Sequence, residues 1–212
     1  MISTTRVAAL VFAAAASAPP VGPDAVWKPP ADFRAKVTAA CGSAKDFGAC
    51  FVDRMRAAGA SAAAVEFAKR TDNQGYMTAF RDTGRVDVAN VEYPFRANEN
   101  QLVFLVNGDP AMIDVDDVSR IDKKNLATNA TYARLLEKYP NLAIFPADRR
   151  PGRGPGFTQR KTGGQVFVVV YLLQDGCHAC ETVGEARIGF EFDVEGRFVG
   201  TDVLRVRSRG QI

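Results

Sequence analysis

The fold class is decided by residues 165–209, which read QVFVVVYLLQDGCHACETVGEARIGFEFDVEGRFVGTDVLRVRSR. The apolar run QVFVVVYLL is typical of a buried strand. In EARIGFEFDV, the apolar side chains of Ile188, Phe190 and Phe192 occupy alternate positions, which is the period of a strand with one buried face. EGR at 195–197 predicts a turn, after which FVGTDVLRVRSR returns. The stretch therefore predicts an antiparallel meander.

Strand signals also precede this meander. RVDVANVEYPF alternates apolar and polar residues, and QLVFLVNGDPAMIDV holds two apolar runs around Asn-Gly-Asp at 107–109, which is a good hairpin signal. NLAIF is a further candidate strand. Before it, NATYARLLEKYPN predicts a short helix with Tyr132, Leu135 and Leu136 directed inward.

Residues 31–84 carry helical signals instead. SAKD at 43–46 resembles an N-capping box, and the apolar residues after it recur at helical spacing. Tyr76, Met77 and Phe80 predict one more helix at the end of this segment. Helices followed by antiparallel strands indicate an α+β fold, in which an N-terminal helical segment packs on a C-terminal antiparallel β-sheet.

The first residues predict an export signal. Arg6 supplies a basic start, and the apolar run after it, VAALVFAAA, is too short to span a bilayer. Small residues favour cleavage after Ala16. The alanine-rich signal is typical of bacteria, so we expect a periplasmic or secreted protein with no transmembrane segment in the mature chain.

Residues 17–30 hold five of the eleven prolines, which predicts an extended proline-rich linker in which Trp27 could dock on the body of the protein. The chain then divides into a signal peptide (1–16), this linker and one α+β domain (31–212), which is helical at first and mainly β over 85–212. The formal net charge of +3 excludes the strong basic field of a nucleic-acid-binding protein.

The chain has four cysteines, and export favours disulfides over free thiols. Four cysteines allow three pairings. Their spacing favours Cys41–Cys50, which would staple a helical corner, and Cys177–Cys180, which would close a C-x-x-C loop. The connectivity stays open at this stage, because spacing alone does not fix disulfide pairing.

The C-x-x-C pair also permits a redox function. A thiol–disulfide oxidoreductase using Cys177 and Cys180 fits a motif that follows a strand, and His178 between the cysteines would lower a thiolate pKa. A thioredoxin-like fold then needs a helix that carries the pair, whereas the residues after Cys180 have the pattern of a hairpin. A structural disulfide is therefore the favoured interpretation.

The sequence gives little support for a metal or cofactor site. Haem attachment requires C-x-x-C-H, and Glu181 occupies the final position. A zinc site built from the cysteines and His178 would include a C-x8-C spacing, which is not a usual zinc pattern. DVDD at 114–117 lacks the glycine of a calcium-binding loop. We therefore expect neither a metal nor a cofactor.

The closed loop is also a candidate contact surface. Residues 175–181 include Asp175, His178 and Glu181, and His178 is the only histidine in the chain. A disulfide that spans two residues restricts the loop before binding, so less ordering entropy is lost when a partner binds. We predict that this loop supplies contacts to a partner.

Locally, CHAC with its flanking strands resembles the secreted bacterial inhibitors of vertebrate-type lysozymes. Those proteins carry a cysteine-closed loop with an internal histidine between two strands, and the loop enters the lysozyme cleft. The resemblance implies an inhibitor of a cell-wall hydrolase, in which Cys177, His178 and Cys180 form the inserted loop. It is confined to the C-terminal hairpin, and the family's loop is longer than the two residues between the cysteines here.

A Gly/Pro-rich loop over 148–164 carries basic residues, among them Arg149, Arg150 and Arg153, and predicts weak contact with anionic surfaces. With one histidine beside a predicted disulfide, histidine-dependent catalysis has few routes. The sequence therefore favours a non-enzymatic exported binding protein whose partner is an unknown protein or small ligand. An oxidoreductase and a hydrolase inhibitor stay open as alternatives.

Overall fold

The computed structural model describes residues 19–97, 100–147 and 154–210, so the predicted signal peptide lies outside the described residues. Within these ranges the chain forms five α-helices and nine β-strands, which confirms the α+β class. No helix of the described ranges has the length and apolar character needed to cross a membrane. The helices are α1 (Phe33–Cys41), α2 (Phe47–Ala57), α3 (Ala62–Arg70), α4 (Lys123–Thr128) and α5 (Ala130–Lys138).

The strands form two antiparallel sheets. The first has the order β1-β2-β3-β4, and the second has the order β5-β7-β8-β9 with β6 also paired to β7. The strands are β1 (Tyr76–Arg81), β2 (Asp87–Glu92), β3 (Gln101–Val106), β4 (Met112–Asp114), β5 (Leu142–Pro146), β6 (Gly156–Gln159), β7 (Gln165–Asp175), β8 (Thr182–Phe192) and β9 (Phe198–Ser208). The predicted meander is confirmed as β7, β8 and β9, and the predicted hairpin as β3 and β4.

The first sheet is the middle layer of the protein. On β3, Val103 and Leu105 pack with the second sheet, whereas Leu102, Phe104 and Val106 pack with the N-terminal segment and α3. Both faces of β3 are thus buried, and a strand buried on both faces is expected to be apolar almost throughout, as QLVFLV is. The N-terminal helices lie on one side of this sheet and the second sheet lies on the other.

The helical layer follows the local signals. The Asp46 carboxylate accepts a hydrogen bond of 2.9 Å from the Ala49 amide and caps α2, so the cap is Asp46 itself and the predicted box with Ser43 as the cap is wrong. Phe51 and Met55, one turn apart on α2, are fully buried. The Cys41–Cys50 disulfide joins α1 to α2 and stabilises the corner between them.

The described part of the predicted linker belongs to the core, which corrects the linker assignment for residues 19–30. Val21, Ala25 and Trp27 are each less than a tenth exposed, and the predicted docking of Trp27 is confirmed. Asn107 holds the segment in place: its side chain accepts from the Val21 amide at 2.6 Å and donates to the Val21 carbonyl at 2.8 Å. The prolines lie beside and between these buried side chains, so a high proline content does not indicate an extended linker here.

The helix predicted from Tyr76, Met77 and Phe80 is wrong, because these residues lie in strand β1. Their apolar spacing fits a helix, but Tyr, Thr and Phe favour strands, and β1 pairs along its length with β2. The chain turns between α3 and β1 with positive φ angles of 54° at Asp72 and 57° at Asn73. Pairing with a strand further along the chain therefore outweighs the local pattern.

The predicted helix over NATYARLLEKYPN is confirmed as α5. Leu135 is buried and Tyr132 is partly buried against the core that the two sheets share, as predicted. Leu136 is 41% exposed, so its predicted inward direction is wrong. One position along a helix rotates a side chain by about 100°, which turns Leu136 away from the sheet.

A polar side chain ties the two sheets together. Gln165, at the start of β7, is almost fully buried. Its carboxamide oxygen accepts from the Val86 amide at 2.8 Å, and its nitrogen donates to the Thr83 carbonyl at 2.9 Å. These bonds fix the beginning of the long hairpin β7–β8 to the first sheet, and so they help to fix the direction in which its far end points.

Candidate functional site

The C-x-x-C loop lies at the end of the longest hairpin in the second sheet. Strands β7 and β8 are paired from Gln165 opposite Phe192 to Gln174 opposite Thr182. Gly176 opens the turn with a positive φ of 91°, a conformation that glycine adopts without steric cost. The paired strands carry the loop to the edge of the described structure, where a partner could reach it.

Both predicted disulfides are present, Cys41–Cys50 and Cys177–Cys180. In the loop, the Cys180 amide donates to the Cys177 carbonyl at 3.0 Å, so the disulfide closes a hydrogen-bonded turn. Strand β8 begins at Thr182, directly after the loop, where a thioredoxin-like protein would have a helix. The local geometry is therefore that of a stapled hairpin.

His178 is exposed at the tip of this turn. Its ring contacts the ring of Phe145 edge-on, with 5.3 Å between the centroids. Phe145 lies on β5, which pairs with β7 and places Phe145 opposite Leu172. The contact restricts the imidazole while leaving it accessible. Phe145 was not predicted as a site residue, because nothing in the sequence links NLAIF to the loop.

The two predicted acidic residues flank the loop. The Asp175 amide donates to the Glu181 carbonyl at 3.1 Å, which closes the base of the loop. The Glu181 carboxylate forms an ion pair with Arg209, beyond the end of β9. Asp175, His178 and Glu181 thus lie together in the loop, and their role as contacts stays a prediction. Arg149, Arg150 and Arg153 lie outside the described residues.

Beside the loop, the outer face of the second sheet carries a row of polar residues that the sequence did not reveal. Gln174 is 6% exposed, and the Glu185 carboxylate lies 3.5 Å from Arg187 and 3.8 Å from Arg207. Within the described part of the chain, Gln174 Oε1, Glu185 Oε1 and Arg207 Nε are buried without a hydrogen-bond partner. Buried polar atoms are normally paired, so hydrogen bonding within this row is incomplete.

An apolar strip connects this row to the loop. Three alternate side chains of β7 point away from the core and are half-buried, namely Val168, Val170 and Leu172. Phe145, opposite Leu172, continues the strip to His178. The loop and the sheet face therefore form one continuous surface with apolar, polar and charged parts, which is the composition of many protein interfaces.

The acidic stretch DVDD contains a carboxyl group, that of Asp114, whose pKa is strongly raised among the residues that the structure describes. Burial raises the pKa of Asp114 to about 6, while the amide of Asp116, which donates to Asp114 at 2.8 Å, opposes that rise. Among the residues that the structure describes, no three His, Cys, Asp or Glu side chains are grouped to hold a metal ion. We place no site at this stretch.

No protein-family model, curated protein or solved structure matches the chain. Fold and site together define a disulfide-stabilised α+β protein with an exposed, covalently closed hairpin loop.

Proposed function

We propose that this chain is an exported, non-enzymatic binding protein that contacts a partner through the disulfide-closed loop, residues 175–181. The observation that carries the proposal is the position of His178, which is exposed on a covalently closed turn and held against Phe145. A side chain restrained before binding loses little conformational entropy in the complex, which is the property expected of a contact residue.

The cysteines support export. All four are bonded, and stable disulfides form and persist mainly in oxidising compartments such as the periplasm or the extracellular space. This agrees with the signal predicted at the N-terminus. The protein would then meet its partner outside the cytoplasm.

The surface beside the loop favours a protein as the partner. The apolar strip and the polar row extend from the loop over the outer face of the second sheet, so the contact would be broad rather than a deep pocket. Strip residues such as Leu172 would bury apolar area, and the exposed Arg187 would pair with a polar group of the partner.

Site-specific photocrosslinking tests the proposal. A photoreactive amino acid at position 178, introduced into the natural host, should give one discrete adduct. An excess of purified wild-type protein should compete the adduct away, and the His178→Ala variant should compete about tenfold less well, which corresponds to about 1.4 kcal/mol. The same amino acid at Lys45, an exposed residue between α1 and α2, is the control.

An adduct that forms equally at positions 45 and 178, or that His178→Ala competes as well as wild type, would contradict the proposal. The proposal would also be contradicted if the protein reduced a model disulfide and the Cys177→Ser variant did not. The chain would then be an oxidoreductase.

One observation favours a more specific role as a hydrolase inhibitor. The exposed imidazole stands between two bonded cysteines at a hairpin end, which is the arrangement that resembles the lysozyme inhibitors. Purified protein should then inhibit a vertebrate-type lysozyme, and His178→Ala should weaken the inhibition about tenfold. Absence of inhibition by the folded protein removes this role and leaves the general binding function to the crosslinking experiment.

A further inference from the structure

A groove of about 470 Å³ lies at the junction of the N-terminal segment, α1 and β1. None of its lining residues belongs to the loop 175–181, so it is separate from the surface proposed above. Its walls combine aromatic rings and prolines with a few charged groups. The residues that matter here are Trp27, Pro30, Phe33, Arg34, Tyr76 and Glu92.

The aromatic floor of the groove is rigid. The Trp27 ring meets Phe33 edge-on at 4.8 Å and Tyr76 at 5.2 Å between centroids. All three residues are less than a tenth exposed. Perpendicular rings at these distances attract one another, so they present a fixed apolar surface to the groove.

The polar groups of the groove are only partly satisfied. Burial, followed by the Glu92 carboxylate that accepts its hydroxyl, raises the pKa of Tyr76 far above its ordinary value, so Tyr76 stays a neutral donor. The Trp27 indole N–H has no acceptor in the described ranges, yet its nitrogen is not among the fully buried unpaired atoms. Within the described ranges the indole N–H is therefore an unpaired donor beside the aromatic floor.

The rim of the groove carries more positive than negative charge. Lys28 and Arg34 are exposed, and neither forms an ion pair within the part of the chain that the structure describes. Glu92 is the one carboxylate of the lining, and it already accepts from Tyr76. The groove is thus complementary to a ligand with a negative charge.

The groove also continues along an open sheet edge. β1 is the edge strand of the first sheet, and the Trp27 amide donates to its Met77 carbonyl at 2.9 Å. Beyond that bond, no described backbone group pairs with the outer edge of residues 78–80. An extended ligand could run from the aromatic floor along this edge, which is a common mode of peptide recognition.

We propose that this groove binds an extended, proline-containing peptide segment that carries an acidic residue. A proline ring would pack against the part of Trp27 that stays accessible, 7% of its surface, as in other aromatic-lined grooves that bind polyproline conformers. A peptide carbonyl accepts from the Trp27 indole. The acidic side chain pairs with Arg34 or Lys28 at the rim.

Selection from a phage-displayed library of random peptides tests this inference, followed by titration of the selected peptide. Trp27 is the only tryptophan, so its fluorescence reports directly on the groove. We expect a consensus with proline and Asp or Glu, and a change of Trp27 emission on binding. Arg34→Glu should weaken binding about tenfold, whereas Lys45→Glu, an equal charge change at an exposed lysine outside the groove, should leave it unchanged.

The inference would be overturned if the selected peptides share no consensus, or if their consensus lacks proline or an acidic residue. Binding that leaves the Trp27 emission unchanged would overturn it too. Equal weakening by Arg34→Glu and Lys45→Glu would also overturn it, since only net charge would then matter. Thermal unfolding of both variants checks that each is folded. His178→Ala should bind the peptide normally, so this result is separate from the outcome for the loop.

Discussion

Among the individual side chains, Asp114 has an environment that links its protonation to folding. It lies on β4, and burial is the largest cause that raises its pKa from 3.8 to about 6. The charges of Asp116 and Asp117 act in the same direction, while the Asp116 amide and Arg96 oppose it. The folded state therefore holds a proton at Asp114 at pH values where the unfolded state has released it.

This predicts a stability that rises as the pH falls through about 6 towards 4, because the folded state then binds more protons than the unfolded state. From pH 7.5 to pH 5, Asp114 should add about 1 kcal/mol to the free energy of unfolding. The measurement is urea unfolding of wild type and Asp114→Asn at both pH values. The variant should lack this increment.

The exposed carboxyl Asp53 on α2 provides a control for this measurement. Asp53→Asn should keep the increment of the wild type. If Asp114→Asn and wild type show the same dependence between pH 5 and pH 7.5, the burial of Asp114 does not act on folding as described.

The N-terminal segment, residues 19–30, is predicted by its packing to act as part of the core. Trp27→Ala should lower the free energy of unfolding by about 3–5 kcal/mol, because it removes a large buried ring that packs on Phe33 and Tyr76. Lys28→Ala, at the exposed neighbouring position, should change it by less than about 0.5 kcal/mol. Equal, small effects in urea unfolding would mean that the segment is a linker after all.

How far the sequence predicts these segments depends on the range of the interactions. The strands of residues 165–209 were predicted because their alternation and their turn are local signals. The apolar spacing of Tyr76, Met77 and Phe80 fits a helix and holds no information about pairing with β2. Strand β1 was therefore not predicted. Local patterns determined the meander, and tertiary pairing determined β1.

The residues of the candidate surface also fall into two groups, those that the local sequence predicts and those that it does not. The disulfide loop and its residues Asp175, His178 and Glu181 are contiguous in sequence and were predicted. Phe145 and Arg207 reach the same surface from other strands, so their contribution depends on sheet order. Sheet order is set by packing between distant segments, which the sequence pattern does not specify.

The two sheets share one hydrophobic core, which contains Val88 and Leu105 of the first and Phe167 and Ile188 of the second. Separation of the sheets would expose this apolar surface and break the bonds of Gln165, so it should be unfavourable on its own. The packing therefore favours unfolding of both sheets as one cooperative unit.

Two probes in different layers test this cooperativity. Trp27 emission reports on the helical layer, and hydrogen exchange of β7 and β8 amides reports on the second sheet. Both should give the same free energy of unfolding in urea, and Gln165→Leu should lower both values equally. Amides of β7 that stay protected after Trp27 has reached its unfolded emission would show two independent units.

The proposed binding function requires that the Cys177–Cys180 disulfide is a structural closure of the loop. The most direct test is a redox titration of the purified protein, with thiols alkylated and intact mass recorded at each potential. Both cysteine pairs should stay oxidised to below about −300 mV, the range of structural disulfides in exported proteins. Opening of Cys177–Cys180 between about −120 and −270 mV, where catalytic dithiols lie, would contradict the account and indicate a redox enzyme.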